Sequence, residues 1–172
     1  MSFEAFETVI VSPALKAVAR HWNEARGSRG MPGWSDIKPS AIAAQLPIVW
    51  AYKYDPATGS FTQRLAGNRI TSIFGRSGRG VPIADMYPPK DFPIAHARFR
   101  KVVGTPAFMR GIGVMFRHLD RYGSGERIMM PLAEDGLHAD GIIGATEYRL
   151  NDAQPILDDL ATGEIEEWFL QD

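Results

Sequence analysis

Arginines and glycines crowd one segment, residues 61–80, which reads FTQRLAGNRITSIFGRSGRG. Arginine pairs with carboxylate or phosphate, and glycine-rich loops bring backbone amides close to a phosphate. The closing GRSGRG is therefore a candidate anion-binding loop. However, its order is G-x-x-G-x-G, it follows a helix-like stretch and it lacks the P-loop lysine. The alternatives are a flexible loop with solvated Arg76 and Arg79, or a local attraction for an anionic ligand or partner.

Arg64 is the second residue with chemical potential, because it lies inside a strand-like run between Gln63 and Leu65. Alternate residues of a strand face opposite sides of the sheet, so one face carries Arg64 together with Thr62 and Ala66. If that face points toward helices, the half-buried guanidinium needs an acidic partner. The partner is either an internal group, such as Asp85, or the acid of a ligand.

Catalytic and metal-binding patterns are not evident. The chain has four histidines without a metal-ligand spacing, and it has no cysteine. Neither G-x-S-x-G nor H-E-x-x-H occurs. The acids Glu134, Asp135 and Asp140 surround a predicted turn, as expected for a solvated hairpin tip. We therefore predict no catalysis, no cofactor and no metal site.

Charge and length limit the class of protein. The 172 residues fit one domain with short flanking segments, and the net charge of −1 offers no electrostatic reason for nucleic acid as a partner. No apolar run reaches the ~20 residues that span a bilayer. The N-terminus is acidic where a signal peptide is basic. These features predict a cytoplasmic protein with no membrane span.

The first element that could position such residues is a helix over residues 13–26. Ser12 is its predicted N-cap and Pro13 its first residue, and Gly27 ends it. An apolar stripe follows the helical period, which suits either docking on a sheet or pairing with another copy of the chain. Its members are Leu15, Val18, Ala19 and Trp22.

The rest of the pattern predicts an α+β domain. Residues 48–55 and 61–67 form a hairpin, a short helix covers residues 68–74, and a longer helix runs from about residue 91 to 103. Strands follow at residues 106–118, 126–135 and 137–150, and a short helix is expected in the tail. We predict a five-stranded antiparallel sheet with helices on one face. The predicted units are a flanking helix and linker at 1–34, the domain at 35–150 and a tail at 151–172.

Three motifs in this order carry a family resemblance. They are W-x(11)-W-S-D-I-x-P at residues 22–39, Leu46-Pro47 before the first strand, and F-x-x-R-L-A-G-N-x-I with F-G-R-x-x-x-G within residues 61–80. Together they resemble the bacterial PAS family of small, mostly single-domain proteins best represented in alphaproteobacteria. Asn68 stands where that family often has threonine, and both residues cap helices. The resemblance implies a sensing or interaction module, often dimeric, which often holds a small ligand between sheet and helices.

We accordingly predict a sensory or regulatory domain. It would bind a small, partly apolar organic ligand, which is anionic in one version of this hypothesis, or a signalling protein partner. The N-terminal helix would help to form a homodimer. One alternative is a small enzyme in which Arg64 anchors a substrate acid and His96 or Asp85 is the base. Another, implied by the resemblance, is a haem sensor that uses His96. The predicted ligand-binding residues are Trp50, Tyr52, Arg64, Phe74, His96, Phe99 and Met130.

Overall fold

The computed structural model describes residues 2–118, 121–151 and 163–171 of the chain. The helices are α1 (Ser2–Val9), α2 (Pro13–Arg26), α3 (Asn68–Phe74), α4 (Ile83–Met86) and α5 (Phe92–Gly104), with a kinked 3-10 segment at Pro39–Ile48. The strands are β1 (Val49–Asp55), β2 (Ser60–Ala66), β3 (Ala107–His118), β4 (Arg121–Leu132), β5 (Gly141–Asn151) and β6 (Glu164–Leu170).

Residues at its two ends determine where helix α2 begins and ends. Ser12 Oγ accepts a hydrogen bond from the Leu15 amide at 3.2 Å, Pro13 occupies the first turn, and Gly27 has a φ of 58° at the C-cap. These groups satisfy helix ends that otherwise lack partners. The predicted bounds of this helix are confirmed.

The sheet has six strands in the order β2-β1-β5-β4-β3-β6, and every neighbouring pair is antiparallel. The predicted α+β, PAS-like class is confirmed, but the sheet has one strand more than predicted. The additional strand is β6, where we expected a helix, and it pairs with β3 along Ala107–Gly113. Residues 152–162 of the tail, in which we expected a short helix, lie outside the described residues.

Helices cover both faces of the sheet, not one. Along β3, Phe108 belongs to a core formed with α1 and α2, whereas the next residue, Met109, belongs to a core formed with α5. Met130 and Met129 divide between the two cores in the same way. This alternation follows from the two-residue period of a strand. We call these the N-terminal core and the α5 core.

The apolar stripe of α2 is part of the N-terminal core. Leu15 and Trp22 are fully buried, and the Trp22 ring packs edge-on against Phe108 at 5.0 Å between ring centroids. Trp22 Nε1 also donates a hydrogen bond to the Pro131 carbonyl at 2.8 Å. The stripe docks on the chain's own sheet, so it does not provide the dimer contact that we predicted for it.

Strands β3 and β4 depart from the simple alternation expected from the sequence. A register shift between Val114 and Phe116 turns Phe116 away from the face that carries Phe108 and Arg110. Strand β4 begins at Arg121, five residues before its predicted start at residue 126, and it includes Gly123 and Gly125. One of these glycines, Gly123, lies under the Phe116 ring, which a Cβ at that position would overlap.

Among the described residues, no helix is long and apolar enough to cross a membrane.

Candidate functional site

A cavity of about 290 Å³ lies between the sheet and helices α3 to α5. Its size is near the lower end of ligand pockets in proteins. Most of the wall is apolar or aromatic. The residues that line it are Trp50, Tyr52, Gln63, Ile70, Ile73, Phe74, Met86, Tyr87, Pro88, Lys90, Asp91, Phe99, Met115, Phe116, Arg127 and Thr146.

Two polar side chains face each other inside this wall. Tyr52 and Gln63 are direct neighbours across β1 and β2, and both are at least 97% buried. Gln63 Nε2 donates to the Tyr52 hydroxyl oxygen at 3.1 Å. Within the described residues, neither the Gln63 side-chain carbonyl nor the Tyr52 O–H makes a further hydrogen bond. The pair therefore retains one acceptor and one donor for a ligand.

Trp50 and Thr146 form a second polar contact in the wall. Trp50 Nε1 donates to Thr146 Oγ1 at 2.9 Å, and the indole stacks on Phe99 with ring centroids 5.7 Å apart. Gly144 lies beneath the indole, where a Cβ would overlap the ring. The indole is thus fixed at its edge by Thr146 and on its faces by Gly144 and Phe99.

Arg127 is a buried cation of the wall, and its charge is balanced inside the protein. Its guanidinium donates two hydrogen bonds to Glu164 of β6, one of them from Nε at 2.6 Å, and Arg98 Nη1 lies 3.1 Å from the same carboxylate. Burial by itself lowers the pKa of Arg127, but the charge and hydrogen bonds of Glu164, together with nearby Tyr87 and Glu166, hold that pKa above its ordinary value. Arg127 and Glu164 are therefore both ionised. Removal of either partner would leave an unpaired charge inside the protein.

Both tyrosines of the wall are neutral. Burial, reinforced by nearby Tyr87, raises the pKa of Tyr52 well above its ordinary value. Burial likewise raises the pKa of Tyr87. These phenols can donate and accept hydrogen bonds at neutral pH, but they cannot act there as anionic bases.

Four of the predicted ligand-binding residues line the cavity, namely Trp50, Tyr52, Phe74 and Phe99. Their role in binding stays a prediction. The other three, Arg64, His96 and Met130, do not line it.

Each of the three has a physical reason for lying elsewhere. Arg64 is exposed and its guanidinium lies 4.4 Å from the ring centroid of Trp34, because Gln63 and not Arg64 takes the inward position on β2. Met130 belongs to the N-terminal core on the opposite face of the sheet. His96 packs edge-on against Phe61 at 5.8 Å, and its Nε2 lies 3.0 Å from the Gly59 carbonyl.

The positions of Arg64 and His96 do not fit the two alternative hypotheses, the small enzyme with Arg64 as its anchor and the haem sensor that uses His96. The enzyme hypothesis required Arg64 to hold a substrate acid inside the cavity, and the guanidinium is on the outer surface. The haem hypothesis required His96 to face the cavity, but His96 is not among the lining residues, and its Nε2 lies 3.0 Å from the Gly59 carbonyl.

The GRSGRG loop is explained by backbone geometry. Gly75 and Gly80 have φ values of 68° and 78°, which side-chain-bearing residues rarely adopt. Gly78 packs against the Gln63 amide, and the loop pairs with β2 through the hydrogen bonds Gln63 N to Val81 O and Gly80 N to Gln63 O. The loop thus pairs with the edge strand β2.

Sequence reasoning missed the two polar residues that matter most in the wall. Alternation along β2 assigned Gln63 and Arg64 to opposite faces, but it carried no information about which face held the cavity. Arg127 had no signal in the sequence, because its partner Glu164 lies 37 residues away on a strand that we had not predicted.

An antiparallel sheet that encloses a partly apolar cavity beneath short helices defines an α+β domain with a PAS-like architecture. The family comparison makes this specific: the PAS domain model matches residues 10–147, so the chain belongs to the PAS domain family. No curated protein matches the chain.

Two solved structures of VqmA share the fold. One is the Vibrio cholerae VqmA dimer without its target DNA, described in terms of the DNA-binding mechanisms of LuxR-type receptors, with 14% identity and a TM-score of 0.50. The match covers 64% of this chain and 51% of that one. The other is VqmA bound to DPO, with 15% identity, a TM-score of 0.50 and coverage of 65% and 57%. At these identities the likeness is one of fold, and the chain spans only about half the length of the VqmA chains.

The exclusion of nucleic acid as a partner was wrong. It was drawn from the net charge of −1, yet the solved proteins of this fold include a receptor described as DNA-binding. A near-neutral chain of this fold therefore gives no ground for that exclusion.

Proposed function

We propose that this protein is a cytoplasmic sensory domain that binds a small, partly apolar organic molecule in the cavity and has no catalysis of its own. The observation that carries the proposal is the buried Gln63–Tyr52 pair, which offers one acceptor and one donor to an otherwise aromatic space. A few polar groups placed in an otherwise apolar pocket fix the orientation of a ligand that can pair with them.

Membership of the PAS domain family supports a sensory role. The solved VqmA bound to DPO supports a small ligand, since a protein of the same fold is described with one. A homodimer and a signalling protein partner remain further parts of this proposal, but the apolar stripe of α2 is not the dimer contact because it is buried.

The test is recovery of a small molecule from the purified full chain. Native mass spectrometry should show an adduct, and extraction after denaturation should release it for identification. Gln63→Leu should lower the recovered amount at least ~10-fold, the effect of about 1.4 kcal/mol of lost hydrogen bonding.

Arg64→Gln is the matched control, because it changes the adjacent residue, which is exposed and lies outside the cavity. It should retain the molecule at the wild-type level. Equal recovery from Gln63→Leu, or no adduct in protein purified from any host, would contradict the proposal.

A further inference from the structure

Strand β6 is attached to the cavity wall through its first residue. Among the described strands, β6 lies at the edge of the sheet and pairs with β3 alone. Glu164, the first residue of β6, forms ion pairs with Arg127, which lines the cavity, and with Arg98 of α5. Arg98 also pairs with Glu166. The cavity and the helix that covers it are thus both bonded to one end of an edge strand.

A glycine makes this long connection possible. Gly111 on β3 stands between Arg127 on one side and Glu166 on the other. A Cβ at Gly111 would overlap Glu164 Oε1. The absence of that Cβ lets the ion pair cross over β3, so that a residue of β4 holds a strand that is not its neighbour.

The side chains that line the cavity carry one more positive than negative charge. Arg127 and Lys90 line it as cations and Asp91 as the opposing carboxylate, while Glu164 is not part of the lining. A ligand carboxylate beside Arg127 would offer the same charge-assisted hydrogen bonds that Glu164 offers now. Exchange of one carboxylate for the other keeps the guanidinium paired, but it leaves Glu164 with Arg98 as its remaining cation. A buried carboxylate that loses a partner is destabilised where it lies.

From these contacts we infer that the cavity takes a small organic acid and that β6 is the element that responds to it. The acid takes Arg127 from Glu164, and the start of β6 loosens from β3. A neutral ligand leaves Arg127 on Glu164 and β6 in place. This inference rests on the proposed function, because β6 responds to a ligand only if the cavity binds one.

A built-in acid tests the coupling without any ligand. Thr146 is the direct cross-strand partner of Arg127 and lines the same cavity. Thr146→Glu places a carboxylate beside the guanidinium, whereas Thr146→Gln adds the same bulk without charge and loses the same contact to Trp50. Hydrogen–deuterium exchange of the full chain is then read over Glu164–Leu170 and Ala107–Gly113, with residues 141–145 as the internal reference.

We expect Thr146→Glu to speed exchange in β6 and in its β3 partners at least 10-fold over Thr146→Gln, with the reference strand unchanged. Equal exchange in the two variants would overturn the inference. If Thr146→Glu does not fold, Arg127→Met decides: it should also release β6, and wild-type protection of β6 in that variant would overturn the inference equally.

This outcome is separate from that of the proposed function. Failure to recover any molecule from the wild-type chain counts against a ligand cavity, whereas the Thr146 variants carry their own acid and report only on the link from Arg127 to β6.

Discussion

Gly144 and Trp50 show how single residues shape the cavity. The indole lies flat over Gly144, and Phe116 lies in the same way over Gly123. Glycine in a strand interior is otherwise unfavourable and often marks a close approach. Here the missing side chains let two aromatic rings lie close to the sheet, and both rings line the cavity.

We predict that Gly144→Ala pushes the Trp50 ring into the cavity, because the new Cβ would overlap it. The hydrogen bond to Thr146 should break, which should shift the tryptophan emission, and the recovered ligand should fall at least ~10-fold, a change of about 1.4 kcal/mol. Gly104→Ala is the control, since a Cβ there meets no atom within 4 Å. An unchanged emission spectrum together with full ligand recovery in Gly144→Ala would contradict this prediction.

Strand β6 illustrates the behaviour of one secondary structure element. Its attachment depends on ionised Glu164, which is surrounded by Arg127, Arg98 and the phenol of Tyr87. Burial alone raises the pKa of Glu164, but the charge and hydrogen bonds of Arg127, together with the charge of Arg98, keep that pKa below its ordinary value.

The depressed pKa predicts that acid releases β6. A carboxyl whose folded pKa lies below its unfolded value stabilises the fold above about pH 4.3, the ordinary glutamate value, and this stabilisation disappears as the pH falls through the folded pKa. Protection from exchange over Glu164–Leu170, relative to the intrinsic rate at each pH, should therefore fall in acid before that of residues 141–145. Glu164→Gln should show fast β6 exchange already at pH 7. If both segments of the wild-type chain lost their protection from exchange at the same pH, this result would argue against a separate release of β6.

Across the whole molecule, the N-terminal helices are structural components of the fold. Glu126 of β4 accepts hydrogen bonds from the Val11 and Ser12 amides, at 2.9 Å and 2.7 Å, and so fixes the junction of α1 and α2. Phe6 is fully buried and stacks on Phe108 with ring centroids 5.0 Å apart. This layer covers the sheet face opposite the cavity. The predicted unit boundaries at residues 34/35 and 150/151 remain predictions.

Phe6→Ala should lower the free energy of unfolding by about 3–5 kcal/mol, as is usual for truncation of a fully buried phenylalanine. Because the lost contacts are within one chain, the shift in denaturation midpoint should not depend on protein concentration. Val11→Ala, at a residue that is 75% exposed, should change the free energy by less than about 0.5 kcal/mol. A loss that grows on dilution would instead indicate that α1 belongs to an interface between chains.

The features that were predictable from the sequence are those set by neighbours along the chain. The cap of α2 at Ser12, the β1–β2 hairpin and helix α5 follow from residues within a few positions of one another, because capping and turn formation are local interactions. The order of these elements and the motifs between residues 22 and 80 were enough to indicate the PAS family.

Contacts between distant segments decided the rest. The sequence predicted that Gln63 and Arg64 point to opposite sides, but the cavity side became evident only once the helices were placed on the sheet. Met129 and Met130 are the same residue type at adjacent positions, yet Met129 lies in the α5 core and Met130 in the N-terminal core. Arg127 needed a partner on β6, a strand whose pairing with β3 brings together segments more than 50 residues apart. Such pairings depend on the packing of the whole sheet, which no local pattern records, and they place the polar groups of the cavity.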